Sequence, residues 1–299
     1  MVALDLKEYL KEKKKLVDKF LDNYLPKADV HPKVLHEAIR YSLFAGGKRI
    51  RPILCIASCE AVGGDIDAAL PAASAIELIH TYSLIHDDLP AMDNDDYRRG
   101  RLTNHKMYGE AIAILAGDAL LTMAFDMFSD KELNSRLDSD SLLSIIKIIA
   151  SASGSTGMVG GQAADIQASG EEVNLPEVEY IHIHKTGALI RASVCTGAIA
   201  GDASDDELSA LTRYGECIGL AFQIADDILD IEGSRDEIGK DVGSDIAKEK
   251  VTFPSLIGVS ESKKRAKELV EKAISSISVF DEKVEPLREI ARYIVERKN

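Results

Sequence analysis

The sequence predicts an all-α fold, and three observations support this prediction. Alanine, leucine and isoleucine are abundant, aromatic residues make up only 5% of the 299 residues and tryptophan is absent, a balance that favours helices over strands. Apolar residues recur at helical spacing along most of the chain, and no stretch of useful length alternates as a strand does. No Ser-, Gly- or Pro-rich linker divides the sequence. Residues 1–299 are therefore predicted to form one domain.

The first three predicted helices lie near the N-terminus. Residues 4–24 place apolar side chains at helical spacing among lysines, which predicts an amphipathic surface helix. Pro32 lies near the first turn of the second helix and Pro52 near the start of the third, because proline is tolerated at a helix N-terminus. Gly46 and Gly47 between them predict a turn that ends the second helix.

A long, nearly uncharged helix is predicted at 68–86, and its lack of charge predicts burial inside a large helical protein. The segment 154–162 is rich in glycine, and the sequence leaves open whether it is a loop or a helix that packs closely on its neighbours. Further helices are predicted at 110–128, 141–153, 176–199 and 205–231, followed by shorter and more charged helices in 252–299.

The chain is acidic, with a net charge of −14 and a pI near 5.0. Such a chain repels nucleic acid, so no nucleic-acid partner is expected. No apolar run reaches ~18 residues without interruption, which predicts no membrane span and no stable membrane insertion. The cysteines form no CxxC pair and the N-terminus is charged, so reduced thiols and a cytoplasmic location are expected.

The string FQIADDILD at 222–230 carries a stripe of carboxylates on a helix. At ~100° per residue, Gln223, Asp226, Asp227 and Asp230 fall within one narrow stripe, and apolar residues occupy the rest of the circumference. A lone DDxxD could be a solvated acidic face, but these surroundings are too apolar for an ordinary surface helix. A carboxylate stripe in a buried helix requires cations.

The string DDLPAMD at 87–93 is a second acidic motif, and it is predicted to bend. Asp87 and Asp88 end the long apolar helix, and Pro90 disfavours helical geometry at the residue before it. On an unbroken helix Asp93 would point away from Asp87, because six residues advance the direction by ~240°. The bend would let Asp93 return toward Asp87 and share a cation with it.

The expected cation is Mg²⁺, because every candidate ligand atom is an oxygen. A Ca²⁺ loop of the EF-hand type requires glycine at its sixth position, and counting from Asp93 that position is Arg98. Mg²⁺ takes few protein carboxylates and fills its shell with water and phosphate oxygens. Two separated acidic motifs with nearby basic residues therefore predict Mg²⁺ ions that hold a diphosphate.

Basic residues complete this prediction. The turn GGKRIR at 46–51 is not a P-loop, since Arg49 stands where Ser or Thr should follow the lysine, yet Lys48 and Arg51 could bind a diphosphate directly. His80 lies on nearly the same helix face as Asp87. Further candidates for phosphate contact are Lys185, Thr186, Lys240 and Lys250. Lys240 or Lys250 taken alone would be interpreted as a solvated surface lysine.

Two residue pairs are predicted to be structural. His182 and His184 would lie ~200° apart on a helix and could not share an ion. Cys55 and Cys59 are one turn apart within a continuous apolar helix, which predicts buried thiols.

At these residues the sequence resembles the trans-isoprenyl diphosphate synthases, in particular the bacterial-type farnesyl and geranylgeranyl diphosphate synthases. The resemblance implies a single bundle of about ten or more helices around a central active-site cavity, usually in a homodimer. The motifs extend over most of the chain: GGKRIRP (46–52), ELIHTYSLIHDDLPAMDNDDYRRG (77–100), GEAIAILAGDALL (109–121), GGQAADI (160–166), HKTGALI (184–190), FQIADDILD (222–230) and GKDVGSDIAKEKVTFP (239–254).

The resemblance also implies a role for each candidate residue. The ligands of three Mg²⁺ ions would be Asp87, Asp93 and Asp226, with Asp88, Asp227 and Asp230 behind them or acting through water. The allylic diphosphate would be held by Arg98, Lys185 and Lys250, with Lys240 close by. Isopentenyl diphosphate would be held by Lys48, Arg51, His80 and Arg99, and Thr186 and Gln223 would lie near the reacting carbons.

The implied reaction follows from these roles. The allylic C–O bond of dimethylallyl or geranyl diphosphate ionises, the isopentenyl double bond attacks the cation, and pyrophosphate is released. The proton is lost to the released diphosphate, so the reaction requires no protein nucleophile or strong base. The apolar helices would form a dry tunnel for the growing chain.

The family pattern places the main determinant of product length four and five residues before the first aspartate, at Ser83 and Tyr82. A bulky Tyr82 predicts the C15 product, farnesyl diphosphate, with the C20 product, geranylgeranyl diphosphate, as the alternative. A terpene cyclase would not need a second diphosphate site, so Lys48, Arg51 and His80 argue against one. A non-catalytic prenyl-binding subunit could lose one aspartate motif, and both are intact.

Overall fold

The computed structural model describes residues 4–232 and 251–296. Within these two ranges the chain forms more than ten α-helices, which confirms the predicted all-α bundle. Lys240 and Lys250 lie outside the described residues. A small hairpin departs from the helical architecture: β1 (Tyr97–Arg98) pairs antiparallel with β2 (Arg101–Leu102), and strands this short leave no alternating pattern in the sequence.

The helices of the first half have bounds close to those predicted, apart from the short α5, which sequence periodicity did not show. Several begin with an aspartate cap, as at Asp5, whose side chain accepts a hydrogen bond from the backbone N–H of Glu8. They are α1 (Leu6–Tyr24), α2 (Lys33–Leu43), α3 (Ile50–Ala61), α4 (Ile66–Asp87), α5 (Asn104–Tyr108), α6 (Glu110–Ser129) and α7 (Ser139–Ser153).

The predicted helix 176–199 is helical throughout, but it contains a π-turn at Ile183–Gly187 that was not predicted. The cause is long-range: the π-turn crosses α11 so closely that a Cβ on Gly219 would lie 2.9 Å from the Cα of Gly187. Local periodicity does not record such a contact. The helices of the second half are α8 (Met158–Ala168), α9 (Leu175–His182), α10 (Ala188–Ala200), α11 (Asp205–Glu232), α12 (Phe253–Ile257), α13 (Val259–Ser276) and α14 (Glu285–Glu296).

The glycine-rich segment contains both of the structures that the sequence left open. Residues 154–157 form a turn, and α8 begins at Met158. Gly161 of α8 lies against the π-turn, since a Cβ there would be 2.2 Å from the backbone nitrogen of Lys185. Glycine at this position therefore allows α8 to approach the π-turn at backbone distance.

The core consists of two apolar clusters that share α3 and α10. In α3, Ile56 packs into the first cluster and Ile53 into the second; in α10, Leu189 and Val194 are divided in the same way. The first cluster joins α1, α2, α4, α6 and α7, and the second joins α11, α13 and α14. Helix α4 is buried along most of its length, as its lack of charge predicted.

Within residues 4–232 and 251–296, three helical segments are long and apolar enough to cross a membrane by length and composition. None of the three is an uninterrupted apolar run, because each contains charged residues, so the prediction of no membrane span stays a prediction. In Ile66–Asp87, which is α4, 83% of the most apolar stretch is buried inside the protein. Packing in the core therefore explains why this helix is apolar. In Glu110–Ser129 and Ser139–Ala168 only 39% and 33% are buried, which leaves apolar surface on α6, α7 and α8.

Candidate active site

One cavity brings together candidate residues from three distant parts of the chain. It has a volume of about 370 Å³ and lies between α3, α4, α8 and the π-turn. Its walls carry both charged and apolar side chains, among them those of Arg51, His80, Tyr82, Ser83, Asp87, Met158, Gln162, Lys185 and Thr186. The predicted central cavity is therefore present, and seven of these nine residues were predicted from the sequence to be part of the site.

The first aspartate motif bends as Pro90 predicted. The backbone N–H of Asp93 donates to the carbonyl oxygen of Asp87 at 2.8 Å, which brings the two residues together. Burial raises the pKa of the Asp87 carboxyl to about 6. The positive charges of Lys185 and Arg98 lower this pKa, whereas the negative charges of Asp93 and Asp88 raise it. A raised pKa means that the negative charge of this carboxylate is not fully compensated by the protein.

Asp88 is held differently from Asp87, although the two are adjacent. It is only 3% exposed, and it accepts hydrogen bonds from Nε and Nη2 of Arg98 at 2.6–2.9 Å. This geometry agrees with a supporting role for Asp88. Arg98 was predicted to hold a diphosphate, and Asp88 takes up Nε–H and one N–H of Nη2, so the N–H groups of Nη1 and the second N–H of Nη2 remain for an anion.

The second aspartate motif is organised by a chain of hydrogen bonds. Thr186 Oγ1 donates to Gln223 Oε1 at 2.8 Å, and Gln223 Nε2 donates to Asp227 Oδ1 at 3.1 Å. Asp227 Oδ2 accepts from the backbone N–H of Phe253 at 3.1 Å and lies 3.4 Å from Nε2 of His182. Asp227 is thus a buried anchor that fixes Gln223 and, through it, Thr186.

Asp226 and Asp230 share α11 with Asp227. Asp226 lies close enough to Arg51, which lines the cavity, to raise the pKa of that guanidinium. Asp230 lies one turn further along, near the end of the helix at Glu232. Within this stripe Asp227 is buried, whereas Asp226 and Asp230 are not among the buried residues of the helix.

The donor set fits a hard divalent cation. Asp87 and Asp93 present oxygen ligands side by side, and the raised pKa of Asp87 shows that a positive charge would stabilise its ionised form. Among residues 4–232 and 251–296, no three His, Cys, Asp or Glu side chains converge as a metal cage would require.

A cluster of basic side chains lies beside the same cavity, and Arg51 and His80 form part of the cavity wall. Nη1 of Arg51 is 3.4 Å from Nε2 of His80, and Nη1 of Arg99 donates to the carbonyl oxygen of Gly46 at 2.6 Å. Burial lowers the pKa of the Arg51 guanidinium, and burial together with Arg51 and Arg99 lowers the pKa of His80 well below its ordinary value. Groups that disfavour one another's charge in this way are suited to an anion.

The glycines before α3 are required by this cluster. Gly47 has φ 104°, and a Cβ on it would lie 2.5 Å from Nη1 of Arg99. Lys48 follows, with its Nζ 5.5 Å from the ring centroid of Tyr293. The turn predicted at Gly46 and Gly47 therefore also makes room for the Arg99 guanidinium.

Sequence reasoning missed the buried ion pair beneath this turn. Arg49, with φ 57°, donates to Glu77 Oε1 at 2.7 Å and to Asp18 Oδ1 at 2.8 Å, and also to the carbonyl oxygen of Leu43. Its side chain is 1% exposed and that of Glu77 3%. The pair holds the turn against α4, between the positions of Lys48 and Arg51.

Asp165 was also missed as an individual residue, although the motif GGQAADI contains it. Its Oδ2 accepts from Nζ of Lys185 at 2.6 Å. The signal in the sequence was therefore present, but the pairing required knowledge that α8 lies against the π-turn. Asp165 holds the Lys185 ammonium near Asp87, whose pKa that ammonium lowers.

The residue pairs predicted to be structural occupy separate environments. His182 stacks on Phe253, with ring centroids 5.2 Å apart, whereas Nδ1 of His184 lies 2.7 Å from the carbonyl oxygen of Tyr180. The two histidines therefore have different partners, as their predicted separation on a helix requires. Cys55 and Cys59 are buried free thiols.

Comparison with known proteins places this geometry in a family. A family model described as polyprenyl synthetase matches residues 32–291. The chain is 49% identical over 296 residues to geranylgeranyl diphosphate synthase of Cyanophora paradoxa, covering 99% of this chain and 97% of that protein. It is 47% identical to heterodimeric geranylgeranyl pyrophosphate synthase large subunit 1, chloroplastic, of Arabidopsis thaliana, covering 99% and 81%. The solved structure of an FPP/GFPP synthase from Zymomonas mobilis matches with 41% identity and a TM-score of 0.86, covering 97% and 99%.

We predict that Arg49→Met lowers the free energy of unfolding by about 3–5 kcal/mol, because it leaves the Glu77 carboxylate buried without its partner. Urea denaturation followed by circular dichroism measures this change. Arg49→Met combined with Glu77→Leu should recover part of the loss, since the orphaned charge is removed.

Arg136→Met is the matched control. Arg136 pairs with Asp65 and Asp67 on the surface, where all three side chains are at least half exposed, so its loss should cost less than about 1 kcal/mol. Equal destabilisation by Arg49→Met and Arg136→Met would contradict the structural importance of the buried pair.

Proposed function

Because this chain belongs to the polyprenyl synthetase family, whose members similar to it are trans-isoprenyl diphosphate synthases, we propose that it condenses isopentenyl diphosphate with an allylic diphosphate and releases pyrophosphate. One observation carries the proposal: Asp87 of the carboxylate pair, and Arg51 and His80 of the cationic cluster, line the same cavity. A carboxylate that could hold one diphosphate through Mg²⁺ and basic side chains that could hold a second suit a reaction that joins two diphosphate substrates.

Asp87 and Asp93, with Asp226, are the proposed ligands of Mg²⁺, and three ions are proposed for the complete site. When bound, Mg²⁺ would supply Lewis-acid stabilisation of the negative charge on the diphosphate. Asp88 and Asp227 support these ligands through their contacts with Arg98 and Gln223, and Asp230 is proposed to act through water.

The chain's own residues are proposed to bind both diphosphates and to shield the carbocation. Lys185, held by Asp165, and Arg98 would stabilise the charge that develops on the departing diphosphate; Lys250 and Lys240 are proposed to join them. Lys48, Arg51, His80 and Arg99 would hold isopentenyl diphosphate, and the Thr186–Gln223 hydrogen bond would fix two polar groups near the reacting carbons.

The proposed reaction requires no protein base, because the released pyrophosphate accepts the proton. The allylic C–O bond breaks and its electron pair leaves with pyrophosphate, the isopentenyl double bond forms the new C–C bond, and a proton passes to the released pyrophosphate. The apolar wall formed by Tyr82, Met158 and their neighbours would exclude water from the carbocation.

We propose geranylgeranyl diphosphate, the C20 compound, as the product, because the relatives from Cyanophora and Arabidopsis carry that name over nearly the whole of this chain. The sequence favoured the C15 compound instead, and farnesyl diphosphate is the second candidate. Two observations support it: Tyr82 lies on the cavity wall, and the similar Zymomonas structure is named an FPP/GFPP synthase. The expectation of C15 as the main product is thus less well supported than its alternative.

We propose that the protein is a homodimer whose interface includes α6 and α7. These helices leave large apolar side chains exposed, with Leu115 51% and Leu143 63% accessible, and a continuous apolar surface on a protein is typical of an interaction site. The Arabidopsis relative is named as a subunit of a heterodimer, which supports an assembled form.

The four free cysteines support the cytoplasm as the proposed compartment.

We predict that the purified protein with Mg²⁺, isopentenyl diphosphate and geranyl diphosphate releases pyrophosphate, and that a chelator abolishes the release. Asp93→Asn should reduce kcat by about 10²-fold or more, because it removes a charge that faces the reaction centre. Asp96→Asn is the control, since Asp96 pairs with Lys106 on the surface. Undiminished release in the presence of chelator would contradict the proposed metal dependence, and no release with Mg²⁺ would contradict the activity.

We further predict that Tyr82→Ala lengthens the product by at least one isoprene unit, because it removes a bulky side chain from the cavity wall. Mass spectrometry of the prenyl products measures this change directly. Tyr97→Ala is the control, since that side chain is 60% exposed on the hairpin. An unchanged product from Tyr82→Ala would remove Tyr82 as a determinant of length.

For the assembly, we predict that the wild-type protein sediments as a dimer and that Leu115→Asp shifts it toward monomer, because a carboxylate would be buried in the interface. Val279→Asp is the control: Val279 is 76% exposed and lies outside α6 and α7. A monomeric wild-type protein in analytical ultracentrifugation would overturn the proposed homodimer.

A further inference from the structure

An imidazole of α4 lies directly against a glycine of α6. A Cβ added to Gly117 of α6 would lie 2.1 Å from Nε2 of His86 and 2.5 Å from Cδ2, so the His86 ring rests directly on the glycine. No side chain larger than hydrogen fits between them unless the ring moves. Gly117 therefore sets where the His86 ring can lie.

Two further contacts hold that ring. Nε2 of His86 is 3.0 Å from the carbonyl oxygen of Ile114, one turn before Gly117 on the same helix. On its other side, the ring meets Tyr82 edge to face, with centroids 5.7 Å apart and planes at 77°, a favoured aromatic geometry. His86 is thus fixed by the α6 backbone and in turn supports the Tyr82 ring.

The location of this stack gives it a consequence for the cavity. Both Tyr82 and His86 line the cavity, together with residues of α3, α8, the π-turn and the Asp87–Asp93 bend. Helix α6 contributes no residue to that lining within the part of the chain that the structure describes. The His86 imidazole therefore separates the cavity from the α6 backbone behind it.

We propose that His86, seated on Gly117, is a positioning residue that fixes Tyr82 and closes the cavity toward α6, so that the His86–Gly117 contact helps to set the length of the prenyl product. This inference rests on the proposed synthase function and deepens it. Tyr82 and His86 both belong to the wall, and the edge-to-face contact with His86 restrains the Tyr82 ring from turning aside.

The two positions should move product length in opposite directions. His86→Ala removes the ring and joins the cavity to the space against α6, so the main product should lengthen by at least one isoprene unit. Gly117→Ala pushes the ring away from α6, toward the cavity, so the fraction of the longest product should fall. His86→Phe keeps the ring bulk and the contact with Tyr82, and its product should match that of the wild type.

A double variant tests whether Gly117 acts through His86. If it does, Gly117→Ala combined with His86→Ala should give the same products as His86→Ala alone, because there is no ring left to displace. Products are measured by mass spectrometry with Mg²⁺, isopentenyl diphosphate and geranyl diphosphate, and thermal unfolding is measured for each variant. If Gly117→Ala does not fold, the pair His86→Ala and His86→Phe still decides the role of the ring.

The outcomes separate this inference from the proposed function. Pyrophosphate release by the wild type tests the synthase activity itself, and its absence would remove both. If the wild type is active but His86→Ala gives an unchanged product, the role of His86 is wrong while the synthase function stands. A further change of product when Gly117→Ala is added to His86→Ala would show that Gly117 does not act through the ring.

Discussion

The arrangement of this site follows from the difficulty of burying charge in an apolar helical bundle. Helix α4 is buried along most of its length, yet it carries Glu77 and His80 and ends at Asp87 and Asp88. A buried charge is tolerated only with a partner or a ligand. Several of the charged groups near the cavity have a protein partner, whereas burial shifts the pKa values of Asp87, Arg51 and His80 against their charged forms.

The partnered groups form a supporting frame. Glu77 is paired with Arg49, Asp88 with Arg98, and Asp165 with Lys185. Asp227 is satisfied by the Gln223 amide and a backbone N–H. What remains is a carboxylate whose pKa is raised and an arginine and histidine whose pKa values are lowered, all on one cavity. A divalent cation would stabilise the charged form of Asp87, and an anion would stabilise the charged forms of Arg51 and His80.

The sequence predicted the local features of this arrangement because they depend on neighbours along the chain. The carboxylate stripe on α11 follows from helical spacing, and the return of Asp93 to Asp87 follows from Pro90. The Arg49–Glu77 pair, the Asp165–Lys185 pair and the π-turn depend on contacts between distant segments. No periodicity records them, although the resemblance to a family had already placed Lys185 in the site.

The π-turn shows why such a feature is more than a local irregularity. Lys185 and Thr186 are consecutive, yet one contacts Asp165 of α8 and the other Gln223 of α11. The wider turn is held where glycines allow close approach on two sides, Gly161 of α8 and Gly219 of α11. π-Turns within helices are frequent at functional sites. Here one turn of backbone positions both the Lys185 ammonium and the Thr186 hydroxyl.

Helix α6 connects the two proposals that concern product length and assembly. Its inner face holds His86 through Gly117 and the carbonyl oxygen of Ile114, while the side chain of Ile114 is 44% exposed on the outer, apolar face. A second subunit packed on that face would restrain the same turn of backbone that positions His86. On these two proposals together, the partner would lie one helix away from the cavity wall, and the stiffness of that wall would depend on assembly. Product length would then be a property of the dimer as well as of the residues that line the cavity.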